Sequence, residues 1–136
     1  MRVAVFGAGG IGGYFGARLA QAGNDVALVA RGSHLEAIQE NGLFVKSSTG
    51  DFHITPFTAT NSPAEVGIVD LVILGIKAWD VREASEQIRP MIGPDTGVLT
   101  LQNGVEAPTE VADVLGNDPV IVGVSPVRCF IEAPGR

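Results

Sequence analysis

A chain of 136 residues that is 46% hydrophobic is long enough to bury a real core, and its net charge of −6 gives no electrostatic footprint for nucleic acid or an anionic membrane. A single cysteine, Cys129, excludes an intrachain disulfide and fits a reducing cytoplasm. No apolar run approaches the length of a membrane span, and no signal peptide is expected, because Met1-Arg2 leads directly into a short strand pattern.

The first strand is predicted over Arg2 to Phe6, followed by the turn Gly7-Ala8-Gly9-Gly10-Ile11-Gly12 and a helix from Gly10 to Ala22 that stops at Gly23-Asn24. Ile11, Phe15 and Leu19 make one apolar stripe on that helix, and Gly12, Gly16 and Ala20 a second stripe of small residues. Glycine inside a helix costs about 1 kcal/mol relative to alanine, so close packing on a sheet is the expected reason for Gly13 and Gly16. A second strand is predicted over Asp25 to Ala30. Ser33-His34-Leu35-Glu36 is a capping-box pattern opening a helix that ends near Asn41-Gly42. Leu43 to Lys46 and Phe52 to Thr55 flank Ser48-Thr49-Gly50-Asp51 and read as a hairpin, expected at an edge. Ser62-Pro63-Ala64-Glu65 is a second capping-box pattern, opening a short helix.

Asp70 to Ile76 is a nearly continuous apolar run, the signature of a strand covered on both faces, and Lys77 stands at its end. A helix over Asp80 to Arg89 should stop before Pro90. The next strand, Val98 to Leu101, ends at Gln102-Asn103-Gly104, and a helix from Ala107 to Leu115 is stopped by Gly116. Val120 to Val124 and Arg128 to Ile131 are the last predicted strands. Strands alternating with helices give an α/β class: one Rossmann-type domain over residues 1–136, doubly wound, with a mainly parallel sheet and an edge hairpin. In such sheets ligands lie outside the carboxyl ends of the strands, which here carry the Gly7 turn, Arg31, Lys77 and Asn103.

A G-x-G-x-x-G pattern is weak evidence alone, in a chain with 18 glycines, where a Gly-rich turn that binds nothing is the bland alternative. Between a strand and a helix it reads as a dinucleotide turn. Gly7 gives the sharp turn, Gly9 lets a pyrophosphate approach the backbone, and Gly12 lets the helix pack on the strand. The free N–H groups and the positive helix end then face the phosphates. An NAD-type site places an acid about 20 residues further on. Here the second strand ends Val29-Ala30-Arg31-Gly32-Ser33, with an arginine and no acid. A guanidinium suits a 2′-phosphate, which favours NADP(H), unless Arg31 is only a surface residue at a loop start. Lys77 is equally readable as a solvated strand terminus. Asn103-Gly104 is a turn whose amide could hold a nicotinamide, a ribose or a substrate oxygen. Cys129 reads as a buried apolar residue, His34 and His53 as surface residues without metal spacing, although His34 lies near enough to Arg31 to leave open a minor contact with an adenosine phosphate, and Trp79 reads as a packing residue beside the crevice.

The chain resembles the N-terminal domain of the 2-dehydropantoate 2-reductase (ketopantoate reductase) family. The resemblance is carried, in family order, by Gly7-Ala8-Gly9-Gly10-Ile11-Gly12, Ala30-Arg31, Lys77-Ala78-Trp79, Gln102-Asn103-Gly104-Val105-Glu106 and Ile131-Glu132-Ala133-Pro134-Gly135. It implies that the glycine turn, Arg31 and Lys77 contact NADP(H), the last two around the adenosine phosphate. Asn103 would touch both cofactor and a small 2-keto acid substrate, and Ser125 to Cys129 would run beside the nicotinamide. Members of the family are more than twice this long, and a helical second domain supplies the lysine that acts as general acid. By that resemblance no catalytic residue lies within this chain. Lys46 and Lys77 are its only lysines, and neither is suited to protonate an alkoxide.

Two readings follow. One is the cofactor half of an NADPH-dependent reductase acting on a 2-keto acid, ketopantoate in pantothenate synthesis. The other is a non-catalytic NADP(H)-binding module, a sensor or a truncated remnant. A methyltransferase would leave Arg31 without a phosphate to meet. Surface left uncovered by an absent domain would favour self-association, so a homodimer is also an expectation.

Overall fold

The computed structural model describes residues 1–136. The chain begins with β1 (Arg2–Phe6), α1 (Gly10–Gln21) and β2 (Asp25–Val29), within a residue of the sequence reading. It continues through α2 (Gly32–Asn41), β3 (Leu43–Val45), β4 (Phe52–Ile54), β5 (Thr58–Thr60) and α3 (Pro63–Val66). The second half holds β6 (Leu71–Leu74), α4 (Val81–Gln87), β7 (Gly97–Thr100), α5 (Ala107–Leu115) and β8 (Val120–Val122). Short 3₁₀ turns flank α4 at Ala78–Asp80 and Arg89–Met91.

Six strands form one sheet in the order β5-β2-β1-β6-β7-β8, and every pairing in it is parallel. This is the doubly wound arrangement, with the strand order reversing between β1 and β6. Alternation along the strands sends side chains to opposite faces. Ala4, Ala27, Val29, Val72, Leu74 and Val98 pack with Val81, Ile88 and Met91 of the α4 region and Val111 of α5. Val3, Val5, Val26, Leu28 and Ile73 pack with Ala17 of α1, Ile38 of α2, and Leu43 and Ile54 of the hairpin. The antiparallel hairpin β3–β4 is present as a sheet of its own, resting against α1.

Several expectations are corrected. Neither capping box forms. Gly32 takes φ +60° and turns the chain into α2 two residues early, so Arg31 flanks the helix and Ser33 makes no cap bond. Ser62 flanks α3 without a cap bond; its N–H is held by the Thr60 hydroxyl at 3.0 Å, and that hydroxyl donates to Glu65. Pro90 lies inside a 3₁₀ turn, and α4 has already ended at Gln87. β5 was not expected: Thr58-Ala59-Thr60 has no apolar run, and its pairing with Ala27–Val29 makes it a strand. The strand expected over Arg128 to Ile131 does not form, because the segment finds no ladder partner. It stays extended, alternating exposed and half-buried from Val124 to Phe130. Trp79 packs against nothing large, being 78% exposed.

Close packing of α1 rests on missing side chains. A Cβ on Gly12 would collide with the Gly7 carbonyl oxygen and stand 2.9 Å from Val5 Cγ1 and 3.1 Å from Gly75 Cα. A Cβ on Gly16 would stand 2.9 Å from both Leu28 Cδ2 and Val5 Cγ2. A Cβ on Gly9 would meet only the Gly75 carbonyl oxygen, at 3.8 Å. Overpacking a filled interior costs about 1–3 kcal/mol. Gly12→Ala should therefore lower the urea midpoint by an equivalent amount, and by more than Gly9→Ala does. Equal midpoints for the two variants would show that α1 does not depend on this contact.

Candidate functional site

β1 ends at Phe6, and Gly7, at φ +92°, turns the chain out of the sheet toward α1. The N–H groups of Gly7 and Ala8 both donate to the Val29 carbonyl, at 3.0 and 3.1 Å, which ties the turn to the end of β2. The next four N–H groups, of Gly9, Gly10, Ile11 and Gly12, have no acceptor in the protein. Gly9 is the N-cap of α1 and offers no side-chain cap, so the helix start is bare. These are the donors and the positive helix end that an anion requires.

Gly75 is a member of this site that the sequence reading missed. It follows β6, donates to the Phe6 carbonyl at 2.9 Å, and has no room for a Cβ between the Gly7 carbonyl and Gly12 Cα. Three glycines from three segments thus meet at the point where the strand order reverses. Its sequence signal was only a glycine at the end of a buried run.

The other expected residues emerge from neighbouring strands at the same end of the sheet. Arg31 follows β2, Lys77 follows β6 and Asn103 follows β7. All three are exposed. Arg31 and Lys77 take part in none of the ion pairs, which join Lys46 to Glu132, Arg82 to Asp113, Arg89 to Glu86 and Arg136 to Glu132. Gln102 connects two of the exits: its side-chain amide donates to Leu74 O at 2.6 Å and to Ile76 O at 3.1 Å. The β6 exit that carries Lys77 is thereby stitched to the β7 exit that carries Asn103.

A cavity of about 610 Å³ lies on the α1 side of the turn, between Gly9, Gly10 and Tyr14, the hairpin, and the segment Val127 to Glu132. It shares Gly9 and Gly10 with the crevice but takes in none of Arg31, Lys77 and Asn103. The free amides and unpaired cations mark the crevice, not this cavity, as the candidate nucleotide site. Cys129, half-buried in the cavity wall, has its thiol pushed up by burial, which disfavours the nucleophilic thiolate. His34 is not a plain surface residue: its ring bonds the Ala8 carbonyl on one side and the Gly135 N–H on the other. No group of three His, Cys, Asp or Glu side chains could hold a metal ion. No helix is long and apolar enough to cross a membrane.

The family model described as "Ketopantoate reductase PanE/ApbA" matches residues 3–136. A 2-dehydropantoate 2-reductase of Mesorhizobium japonicum is 47% identical over 106 residues, which are 77% of this chain and 32% of that protein. The crystal structure of 2-dehydropantoate 2-reductase from Porphyromonas gingivalis W83 superposes with a TM-score of 0.93 at 39% identity, over 99% of this chain and 50% of that one. A ternary structure of D-mandelate dehydrogenase with NADH and anilino(oxo)acetate superposes with a TM-score of 0.88 at 29% identity, over 99% of this chain and 44% of that one. The chain spans between a third and a half of the length of these relatives. With the match running through every strand, helix and exit that builds the crevice, the chain belongs to the ketopantoate reductase family.

Proposed function

We propose that this chain is the NADP(H)-binding part of a reductase that converts a 2-keto acid, ketopantoate by the family's name, into the 2-hydroxy acid. The observation that carries the cofactor choice is Arg31. It stands unpaired and exposed just past β2, where an NAD-type site needs a carboxylate. A guanidinium there bonds a 2′-phosphate and has nothing comparable to meet on a 2′-hydroxyl. The fit of the pyrophosphate is supported by the four free N–H groups of Gly9 to Gly12 and by the open space over Gly9. In this reading Gly7, Ala8, Gly9, Gly10, Ile11 and Gly12 wrap the pyrophosphate, Lys77 adds charge at the adenosine end, and Asn103 orients the nicotinamide ribose and the substrate oxygen.

When bound, the reduced cofactor supplies the hydride. This chain's residues bind and orient; none is placed to deliver the proton that the reduced carbonyl oxygen needs. Lys46 is paired with Glu132 at 3.5 Å, and in this reading Lys77 serves the adenosine end of the cofactor. The general acid is therefore assigned to the part of the protein outside residues 1–136. The setting is cytoplasmic in this reading, consistent with the free thiol of Cys129.

A second reading, NADH use, is favoured by one fact: the D-mandelate dehydrogenase neighbour is described with NADH. Calorimetry decides between them. Charge-assisted bonds contribute about 1.5–3 kcal/mol, so Arg31→Ala should weaken NADPH binding by roughly tenfold to a hundredfold and leave NADH nearly unchanged. Equal losses for both would remove the phosphate role. Gly9→Val should abolish binding of either nucleotide with the far-UV spectrum intact, whereas normal binding would move the cofactor off this turn. A positioned acid typically contributes 10²–10⁴-fold. The 136-residue chain alone should accordingly bind NADPH and oxidise it no faster than background with ketopantoate added; turnover at an ordinary enzymatic rate would require an acid within these residues.

A further inference from the structure

His34 stands in the first turn of α2, three residues after Arg31. Its Nδ1 accepts the Gly135 N–H at 3.0 Å, so that nitrogen carries no proton. The proton is then on Nε2, which donates to the Ala8 carbonyl at 2.8 Å. Both ring nitrogens are thus used, one on the glycine turn and one on the far end of the chain. Ala8 is 2% exposed, and its carbonyl has no other partner. Without His34 it would be left unpaired in the interior, which native structures avoid.

The Ala8–Gly9 peptide is trans and planar, so its carbonyl and its N–H point in opposite directions. Holding the Ala8 oxygen therefore aims the Gly9 N–H. It aims that donor away from His34, on the peptide that opens the free-donor series. The two sides of the turn differ in the same sense. A Cβ on Gly9 would meet nothing closer than 3.8 Å, whereas one on Gly10 would stand 2.8 Å from the Cys129 carbonyl group and 2.9 Å from Phe130 N. The segment through Cys129 is held by the same latch, since Gly135 bonds His34 through its N–H and accepts the Phe44 N–H at 2.9 Å through its oxygen.

We propose that His34 is a positioning residue for nucleotide binding. It fixes the Ala8–Gly9 peptide so that the Gly9 N–H is presented to the phosphates, and it clamps residues 127–136 against the opposite side of the turn. The proposal rests on the reading of the glycine turn as the nucleotide site. It differs from a packing role because a donor and an acceptor must both be present on the side chain. A primary amide also carries both on one group, whereas alanine carries neither.

The test is calorimetric titration of NADPH into the unaltered chain, His34→Ala, His34→Gln and Gly135→Val, with amide exchange followed in the absence of nucleotide. Losing one such bond corresponds to about a three- to tenfold loss of affinity. His34→Ala should show that loss and faster exchange at the Gly135 and Phe44 amides, and His34→Gln should recover most of both. Gly135 lies at φ +74°, where valine is strained, and a Cβ there would stand 3.1 Å from Ala37 Cβ. Gly135→Val should therefore open the latch from its other end and weaken NADPH without touching the turn, an expectation that holds even if His34→Ala fails to fold. Nitrogen-15 spectra of the unaltered chain should report the Nε2–H tautomer. Unchanged NADPH affinity in His34→Ala or Gly135→Val, with the unaltered chain binding well, would overturn the latch and leave the nucleotide reading standing. An equal loss in His34→Gln and His34→Ala would reduce His34 to packing. Failure of the unaltered chain to bind either NADPH or NADH would remove both ideas together.

Discussion

Helix α1 reaches the ends of β1 and β6 only because three backbones meet there without side chains. Gly7, Gly12 and Gly75 come from a strand exit, a helix and a second strand exit, and a Cβ on either Gly12 or Gly75 would overlap the Gly7 carbonyl. This contact decides where the bare helix start lies. It sets the N–H groups of Gly9 to Gly12 at the gap beyond the carboxyl ends of the paired strands β1 and β6, where the strand order reverses. A helix held a side chain's width further out would present the same donors to solvent and not to a ligand lying along the strand ends. The steric constraint thus comes before the electrostatic one: packing fixes the donors, and their lack of acceptors then makes the place attractive to an anion.

The charges around that gap run against the charge of the whole molecule. The chain carries −6, yet the exits of β2 and β6 present Arg31 and Lys77 with no acidic partner. Exposed cations pay little desolvation cost, so leaving them unpaired is not expensive for the fold. It does leave one unpaired cation at the exit of each strand that flanks β1. Gln102 then keeps the β6 and β7 exits in register by bonding both Leu74 and Ile76. Lys77 and Asn103 are placed by backbone contacts of this kind, whereas Arg31 depends on the turn into α2.

Much of this was legible from the residues. The 3.6-residue and near-continuous apolar patterns located β1, α1, β2, β6, β7 and α5, because each is buried along a regular stripe or on both faces. What escaped was set by partners remote in sequence. Thr58 to Thr60 is a strand because β2 lies beside it, and three residues with two threonines carry no such signal. Arg128 to Ile131 has strand composition but no neighbour, so the same local preference yields no ladder. Ser33 and Ser62 match a capping pattern, yet Gly32 at positive φ and the Thr60 hydroxyl supply the alternatives that win. At the candidate site, the turn at Gly7 and the close packing at Gly12 were readable from their spacing, while Gly75 and the bond from His34 to the Ala8 carbonyl were not. Each matters through a contact with the turn that spans tens of residues.

The segment after β8 adds a mechanical link that strand order alone would not provide. β8 is the far edge of the sheet, and β2 with α2 belongs to the opposite half. The chain leaves β8, passes Cys129 and Phe130 against Gly10, and ends on His34 of α2 and Phe44 of the hairpin. One extended stretch thereby ties the edge beside the Asn103 exit to the half that carries Arg31. Gly10 is where it crosses, and the absence of a side chain there serves the protein's own backbone, whereas the absence at Gly9 serves open space. Two adjacent glycines of one motif therefore answer to different demands. A substitution at either would be scored as damage to the same motif, yet one acts on the ligand side and the other on the path of the chain.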